Sequence, residues 1–156
     1  MAHRRHRPHA GLADAAGGIV RGMITGGCLC GALRYRAEGE PGLQGLCHCR
    51  NCQRLSGGGH VGWLCFPENA VTVEGETRRY DTTGGSGSTA TRFSCPTCHS
   101  IVYGTAEVMP GLTNIYAGSL DDTSQFKPTM AIFTRSRPAW DDSSRNLKCF
   151  ETVPQR

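Results

Sequence analysis

The sequence predicts a mainly β fold of short antiparallel strands tied together by metal. Three observations carry that prediction. Apolar and polar residues alternate in short runs, as in residues 32–38, where Leu33, Tyr35 and Ala37 interleave with Arg34, Arg36 and Glu38. No apolar pattern of helical period extends beyond about two turns. The 156 residues include 21 glycines and nine cysteines, which suit turns, bulges and metal-binding knuckles better than helices. With 38% hydrophobic residues, a chain of this length supports one core and one domain.

The elements follow in chain order. Gly26-Gly27-Cys28-Leu29-Cys30-Gly31 opens the patterned region. Cysteines one residue apart on a strand would face opposite ways, so the flanking glycines are needed to turn the backbone until both sulfurs converge. Residues 32–38 form a half-buried strand closed by the turn signal Glu40-Pro41-Gly42. Residues 43–46 lead into Cys47-His48-Cys49-Arg50-Asn51-Cys52, and residues 50–55 suit a single helical turn broken by Ser56-Gly57-Gly58-Gly59. Residues 60–66, with Val61, Trp63, Leu64 and Phe66, read as a core strand, in which His60 and Trp63 serve packing. Short strands are expected over 71–76 and 78–81, then a Thr/Gly/Ser loop over 82–88. Residues 89–93 and 100–104 flank Cys95-Pro96-Thr97-Cys98 as a knuckle on a hairpin. Residues 112–117 form a further strand, 119–122 a turn and 129–134 the last core strand, with Trp140 as a late hydrophobic anchor.

Charge separates the chain into two parts. Residues 1–22 hold Arg4, Arg5, Arg7 and Arg21 against Asp14 alone, a net of +3, and read as a disordered basic leader. The remaining residues, 23–156, carry 13 Lys/Arg against 12 Asp/Glu, a net of +1, which excludes a basic field suited to nucleic acid. A single metal-binding domain is expected over 23–145 and a C-terminal tail over 146–156. Neither an apolar export signal nor a membrane-length apolar stretch is present, so the expected setting is the reducing cytoplasm. There, clustered thiols read as metal ligands and not as disulfides.

By spacing, the thiols group as Cys28-x-Cys30, Cys47-x-Cys49-x-x-Cys52 and Cys95-x-x-Cys98, with Cys65 and Cys149 left as lone, buried small hydrophobes. Seven clustered thiols divide most simply into four and three. Cys28, Cys30, Cys95 and Cys98 would close a tetrahedral site joining distant parts of the chain, while Cys47, Cys49 and Cys52 would leave one position open. A closed site staples a fold, and an open one can react. Zinc suits this division, and an iron–sulfur cluster remains chemically possible. Cys95-Pro96-Thr97-Cys98-His99 also matches the haem c attachment pattern, but that chemistry requires an exported chain.

Three cysteine groups in this order, with Gln53-Arg54-Leu55-Ser56-Gly57, Ala117-Gly118-Ser119-Leu120-Asp121-Asp122 and Trp140, resemble the glutathione-dependent formaldehyde-activating enzyme family, which shares its domain with centromere protein V. The resemblance implies an Mss4-like, or β-tent, fold stapled by zinc. It implies two zinc sites: a structural one on Cys28, Cys30, Cys95 and Cys98, and a catalytic one on Cys47, Cys49 and Cys52. It also implies carbon–sulfur lyase chemistry, the joining of glutathione and formaldehyde to S-(hydroxymethyl)glutathione. His99 departs from the family, in which glycine commonly follows the second cysteine of this pair.

The expected partners are therefore a small thiol such as glutathione and a small aldehyde, with no nucleic acid and no membrane. Arg50 and Arg54 are candidates to pair with a substrate carboxylate, and Gln53 to hydrogen-bond its peptide. The competing reading is a non-catalytic zinc module for a protein partner or small thiol, in which a fourth protein ligand fills the three-cysteine site.

Overall fold

The computed structural model describes residues 22–154. The leader expected over 1–22 lies, apart from Gly22, outside the described residues. Strands β1 (Met23–Gly27) and β2 (Arg34–Glu38) pair antiparallel, and β5 (Val71–Glu74) completes a three-stranded sheet in the order β1-β2-β5. The second sheet takes β3 (Leu43–Cys47), β4 (Val61–Pro67), β6 (Arg78–Thr83), β7 (Thr89–Ser94), β8 (Ile101–Ala106) and β9 (Leu112–Tyr116). With β10 (Met130–Ile132) and β11 (Lys148–Cys149) it has eight strands, ordered β11-β10-β3-β4-β9-β8-β7-β6. All pairings are antiparallel except β10 with β3 and β10 with β11. The fold is mainly β, as the alternating runs require, and the helix α1 (Arg50–Ser56) is two turns long.

Strand β4 organises both cores. Because strand side chains alternate between faces, Leu64 and Phe66 enter one buried cluster while Trp63 and Cys65 enter the other. The first cluster lies between the sheets and gathers Ile24, Leu33, Tyr35, Val102 and Ile115 with Cys28 and Cys95. The second holds Cys47, Cys49 and Cys52 against Trp63 and Phe133. A strand buried on both faces reads as a continuous apolar run, which is the character of residues 61–66.

The two sheets meet at Gly26, bridged to Leu120. A β carbon there would lie 2.2 Å from both the Tyr35 hydroxyl and the Ser119 carbonyl oxygen, so this position requires glycine. Arg34 pairs with Asp121 across the same join, and Thr25 Oγ1 donates to Asp121 at 2.8 Å.

Three expectations change. Trp140 is 72% exposed and anchors no core. Cys149 is exposed, because it lies on an edge strand, whereas Cys65 is buried and donates to Asn114 Oδ1 at 2.9 Å. The strand expected over 129–134 is three residues long and is not the last, because Phe133 turns into the left-handed region (φ 56°) and residues 148–152 return alongside. Phe150 N–H donates to Ala131 O at 2.8 Å, and Phe133 N–H donates to Thr152 O at 2.9 Å.

Candidate metal centre

The thiols gather as spacing suggests, into a group of four and a group of three, each with its sulfurs within 4.8 Å of one another. In the first group Cys28 and Cys30 follow β1 in a turn that Gly31 closes at φ 81°. The Cys28 and Cys30 sulfurs are 3.5 Å apart, and those of Cys30 and Cys95 3.7 Å. Four sulfurs at the Zn–S distance of about 2.3 Å stand about 3.8 Å apart in a tetrahedron, so the donor set fits zinc. Backbone N–H groups of Leu33 and Thr97 point at the Cys28 and Cys95 sulfurs at 3.2 and 3.4 Å. Burial disfavours the Cys98 thiolate, but hydrogen bonds from Ser100 outweigh it and bring the pKa down to about 5. His99 adopts φ 61°, which explains why glycine suits this position, and a side chain there costs about 1–2 kcal/mol.

The second group is built by one change of secondary structure. Strand β3 ends at Cys47, His48 follows, and Cys49 caps helix α1, its sulfur accepting from Cys52 N–H at 3.4 Å. The cap and the third helical residue lie on the same side of a first turn, so Cys49 and Cys52 converge where Cys47 arrives. Gly57 ends the helix at φ 70°, its N–H returning to Gln53 O at 2.9 Å. All three cysteines are buried. Thiol hydrogen bonds from Cys47 and Cys52, joined by backbone N–H groups, pull the Cys49 pKa down to about 2. The same interactions with Cys49, together with burial, push Cys47 strongly up. Three converging thiols also fit zinc, and among the described residues no fourth Cys, His, Asp or Glu atom joins them.

The walls of this centre come from residues for which the sequence gives little warning. Trp63 and Phe133 pack directly in the cluster, flanked by Val61, Met109 and Tyr116. Tyr116 is pushed up by burial and lies within electrostatic reach of Arg92 and all three thiols. Arg92 in turn favours the Cys52 thiolate. The loop after β6 passes overhead: a β carbon on Gly85 would lie 3.0 Å from the Phe133 ring and 3.1 Å from Cys49 Cβ. Asn51 Nδ2 ties this loop down by donating to Thr83 O at 2.7 Å. The spacing of Arg92 before Cys95 is the only sequence signal for it, and spacing alone does not reveal which face it occupies.

The expected substrate residues divide. Arg50 and Arg54 are exposed and border a shallow hollow of about 210 Å³ with Trp140 and Pro138. Gln53 is buried instead: its amide nitrogen donates to His48 O at 2.6 Å and Ser136 O at 2.8 Å, and its oxygen accepts from Arg50. Its side chain therefore braces the cysteine run against the segment after β10.

His48 is fully buried between the cysteines, and its Nδ1 lies 3.1 Å from Gly59 O and 3.5 Å from Asp141 Oδ2. His60 Nδ1 donates to Asp141 Oδ2 at 2.8 Å. These three side chains form a third group compact enough for a metal, but both Nδ1 atoms and the carboxylate already bond to one another or to neighbouring backbone. A cavity of about 1100 Å³ borders Arg34, Leu55, His60, Tyr116 and Ser119 but none of Cys47, Cys49 and Cys52. Val61 and Tyr116 border both that cavity and the thiol cluster.

Residues 23–136 match the family described as glutathione-dependent formaldehyde-activating enzyme. A Halomonas elongata protein, named provisionally for the same activity, is 26% identical over 140 residues, covering 85% of this chain and 89% of its own length. A solved Rhodobacter sphaeroides protein structure is 20% identical with a TM-score of 0.48, covering 62% of this chain and 87% of its own. No helix among the described residues is long and apolar enough to cross a membrane.

Proposed function

We propose, for a chain that belongs to the glutathione-dependent formaldehyde-activating enzyme family, that it joins a small thiol such as glutathione to formaldehyde or a similar aldehyde, as a carbon–sulfur lyase does in reverse. The observation that carries this reading is the buried group of Cys47, Cys49 and Cys52, which no fourth protein ligand completes among the described residues. These cysteines would hold the catalytic zinc, and Cys28, Cys30, Cys95 and Cys98 a structural one. Bound zinc at the three-cysteine site would supply Lewis acidity that lowers the pKa of an incoming thiol.

The chain's own residues supply the rest. Trp63, Phe133, Met109 and Tyr116 keep the reacting atoms dry. Arg50 and Arg54 offer exposed guanidinium groups to the carboxylates of a glutathione-like substrate at the edge of α1. Gln53 acts by position, holding His48 and the turn between the ligands. In the reaction the thiol sulfur forms a bond to the aldehyde carbon, the carbonyl π pair passes to oxygen, and the thiol proton ends on that oxygen. Nine unpaired cysteines suit a reducing cytoplasm.

The test is turnover of a thiol and aldehyde panel by zinc-loaded wild type and Cys52→Ser, with metal content measured in both. Turnover by wild type, lost in Cys52→Ser together with one zinc, is the expected outcome. A wild type that binds two zincs but turns over no pair would favour the non-catalytic module.

A further inference from the structure

Buried polar atoms in folded proteins almost always find a hydrogen-bond partner. Among the described residues three buried side-chain atoms have none: His48 Nε2, Trp63 Nε1 and Arg92 Nε. They come from three different elements, on residues that border the three-cysteine centre. His48 sits between Cys47 and Cys49, and Trp63 packs in one cluster with all three thiols. Trp63 is paired across β4 and β9 with Tyr116. Tyr116 and Arg92 meet over Gly104, where a β carbon would lie 2.9 Å from the Tyr116 hydroxyl and 3.5 Å from Arg92 Cδ. Trp63, Tyr116 and Arg92 thus line one continuous wall.

The three atoms differ in kind. Gly59 O can only accept, so His48 Nδ1 carries its proton and Nε2 a lone pair. Trp63 Nε1–H and Arg92 Nε–H can only donate. Arg92 spends one terminal nitrogen on Thr91 O at 3.2 Å, leaving Nε–H without a partner. Two unpartnered buried donors, one of them charged, on the wall that borders the thiols are the elements of an oxyanion site. Among the described residues the four-thiol group has no such neighbours.

We infer that Trp63 Nε1–H and Arg92 Nε–H form an oxyanion site beside Cys47, Cys49 and Cys52, which receives the aldehyde oxygen as it gains charge. This assignment rests on the thiol–aldehyde reading given above. While the carbon–sulfur bond forms, the carbonyl π pair moves onto the oxygen and the two donors hold the resulting alkoxide. The proton released by the thiol then neutralises it, and the donors lose their hold as the adduct leaves. Donors that bind the charged oxygen more tightly than the carbonyl lower the barrier and not merely the binding energy.

Formate, a one-carbon anion, serves as the probe. The chain has two tryptophans, so in a Trp140→Phe background Trp63 is the sole reporter. Full-length zinc-loaded protein should show a saturable fluorescence change with formate, weakened at least about tenfold by Arg92→Gln. Arg92→Gln and Trp63→Phe should each lower kcat about 100-fold with the thiol KM and the zinc content unchanged. A formate response that does not saturate, or is equal in Arg92→Gln, overturns the site. So does activity within about threefold of wild type in both variants. Should wild type turn over no thiol–aldehyde pair, the reaction assignment falls, while the formate titration still decides whether the two donors bind an anion.

Discussion

The two cysteine groups sit on opposite sides of β4 and differ in every respect that separates a staple from a reactive centre. The four-thiol group draws Cys28 from beside one sheet and Cys95 from the other, and both are packed in the core between the sheets. Its sulfurs accept backbone N–H groups, and none of the unpartnered buried polar atoms found among the described residues belongs to it. The three-thiol group comes from one run of six residues, so its closure joins nothing distant. Residues beside it carry three unpartnered polar atoms, one of them on the half-buried Arg92, whereas non-glycine residues in the left-handed region occur next to both groups, at Phe133 and at His99. Unmet hydrogen bonds are tolerated where binding satisfies them, which is why they collect on one side of the sheet.

Substitution of one ligand in each group should break this comparison most sharply. Cys95→Ser removes a fully buried thiol that ties two distant segments, and a structural zinc held there would contribute on the order of 10 kcal/mol. Circular dichroism should show an unfolded chain. Cys49→Ser should leave the melting profile within a few degrees of wild type and abolish turnover. A folded Cys95→Ser protein, or an unfolded Cys49→Ser one, would reverse the two roles.

Glycine substitutions test the same contrast more gently. Gly26→Ala drives a methyl into Tyr35 and the Ser119 backbone where the sheets join, and should cost about 3 kcal/mol in a denaturant titration. Gly85→Ala meets only the Phe133 ring and Cys49 Cβ, so its cost should stay near 1 kcal/mol and its effect should appear in activity. Equal losses of stability would mean that the loop over the thiols is as deeply structural as the sheet junction.

The smallest effect is acid dependence. Burial alone would raise the Asp141 pKa, but hydrogen bonds from Ser143 and His60 bring it from 3.8 down to about 2. Since the folded value is the lower one, the stability from Asp141 is complete above about pH 4 and disappears as pH falls toward 2. Asp141→Asn should remove that part of the acid transition, and an unchanged pH profile would show that this strut does not support the three-cysteine turn.

The strands and both cysteine groups were legible because each depends on short-range regularities: alternation along residues 32–38 and 61–66, and fixed spacings between thiols. The walls of the centre were not. Arg92 and Tyr116 meet only because β7, β8 and β9 are adjacent, with Arg92 opposite Gly104, and no local pattern encodes that register. Asp141 joins His60 from 81 residues away. Trp140 was misread for a simpler reason: aromatic character suggests burial, but this ring borders the open hollow beside Arg50 and Arg54. Gln53, beside Arg54, reads as a hydrogen-bonding partner for a substrate peptide, whereas the helix turns it inward toward Ser136.

Zinc-edge X-ray absorption of the fully loaded protein, recorded before and after addition of glutathione, tests the division most directly. A closed four-sulfur site and an open three-sulfur site average about 3.5 sulfurs per zinc, rising to about 4 as a thiol enters the open one. That rise, absent in Cys49→Ser, is the predicted result. A count already at 4 without thiol, or one that glutathione leaves unchanged, would contradict the account.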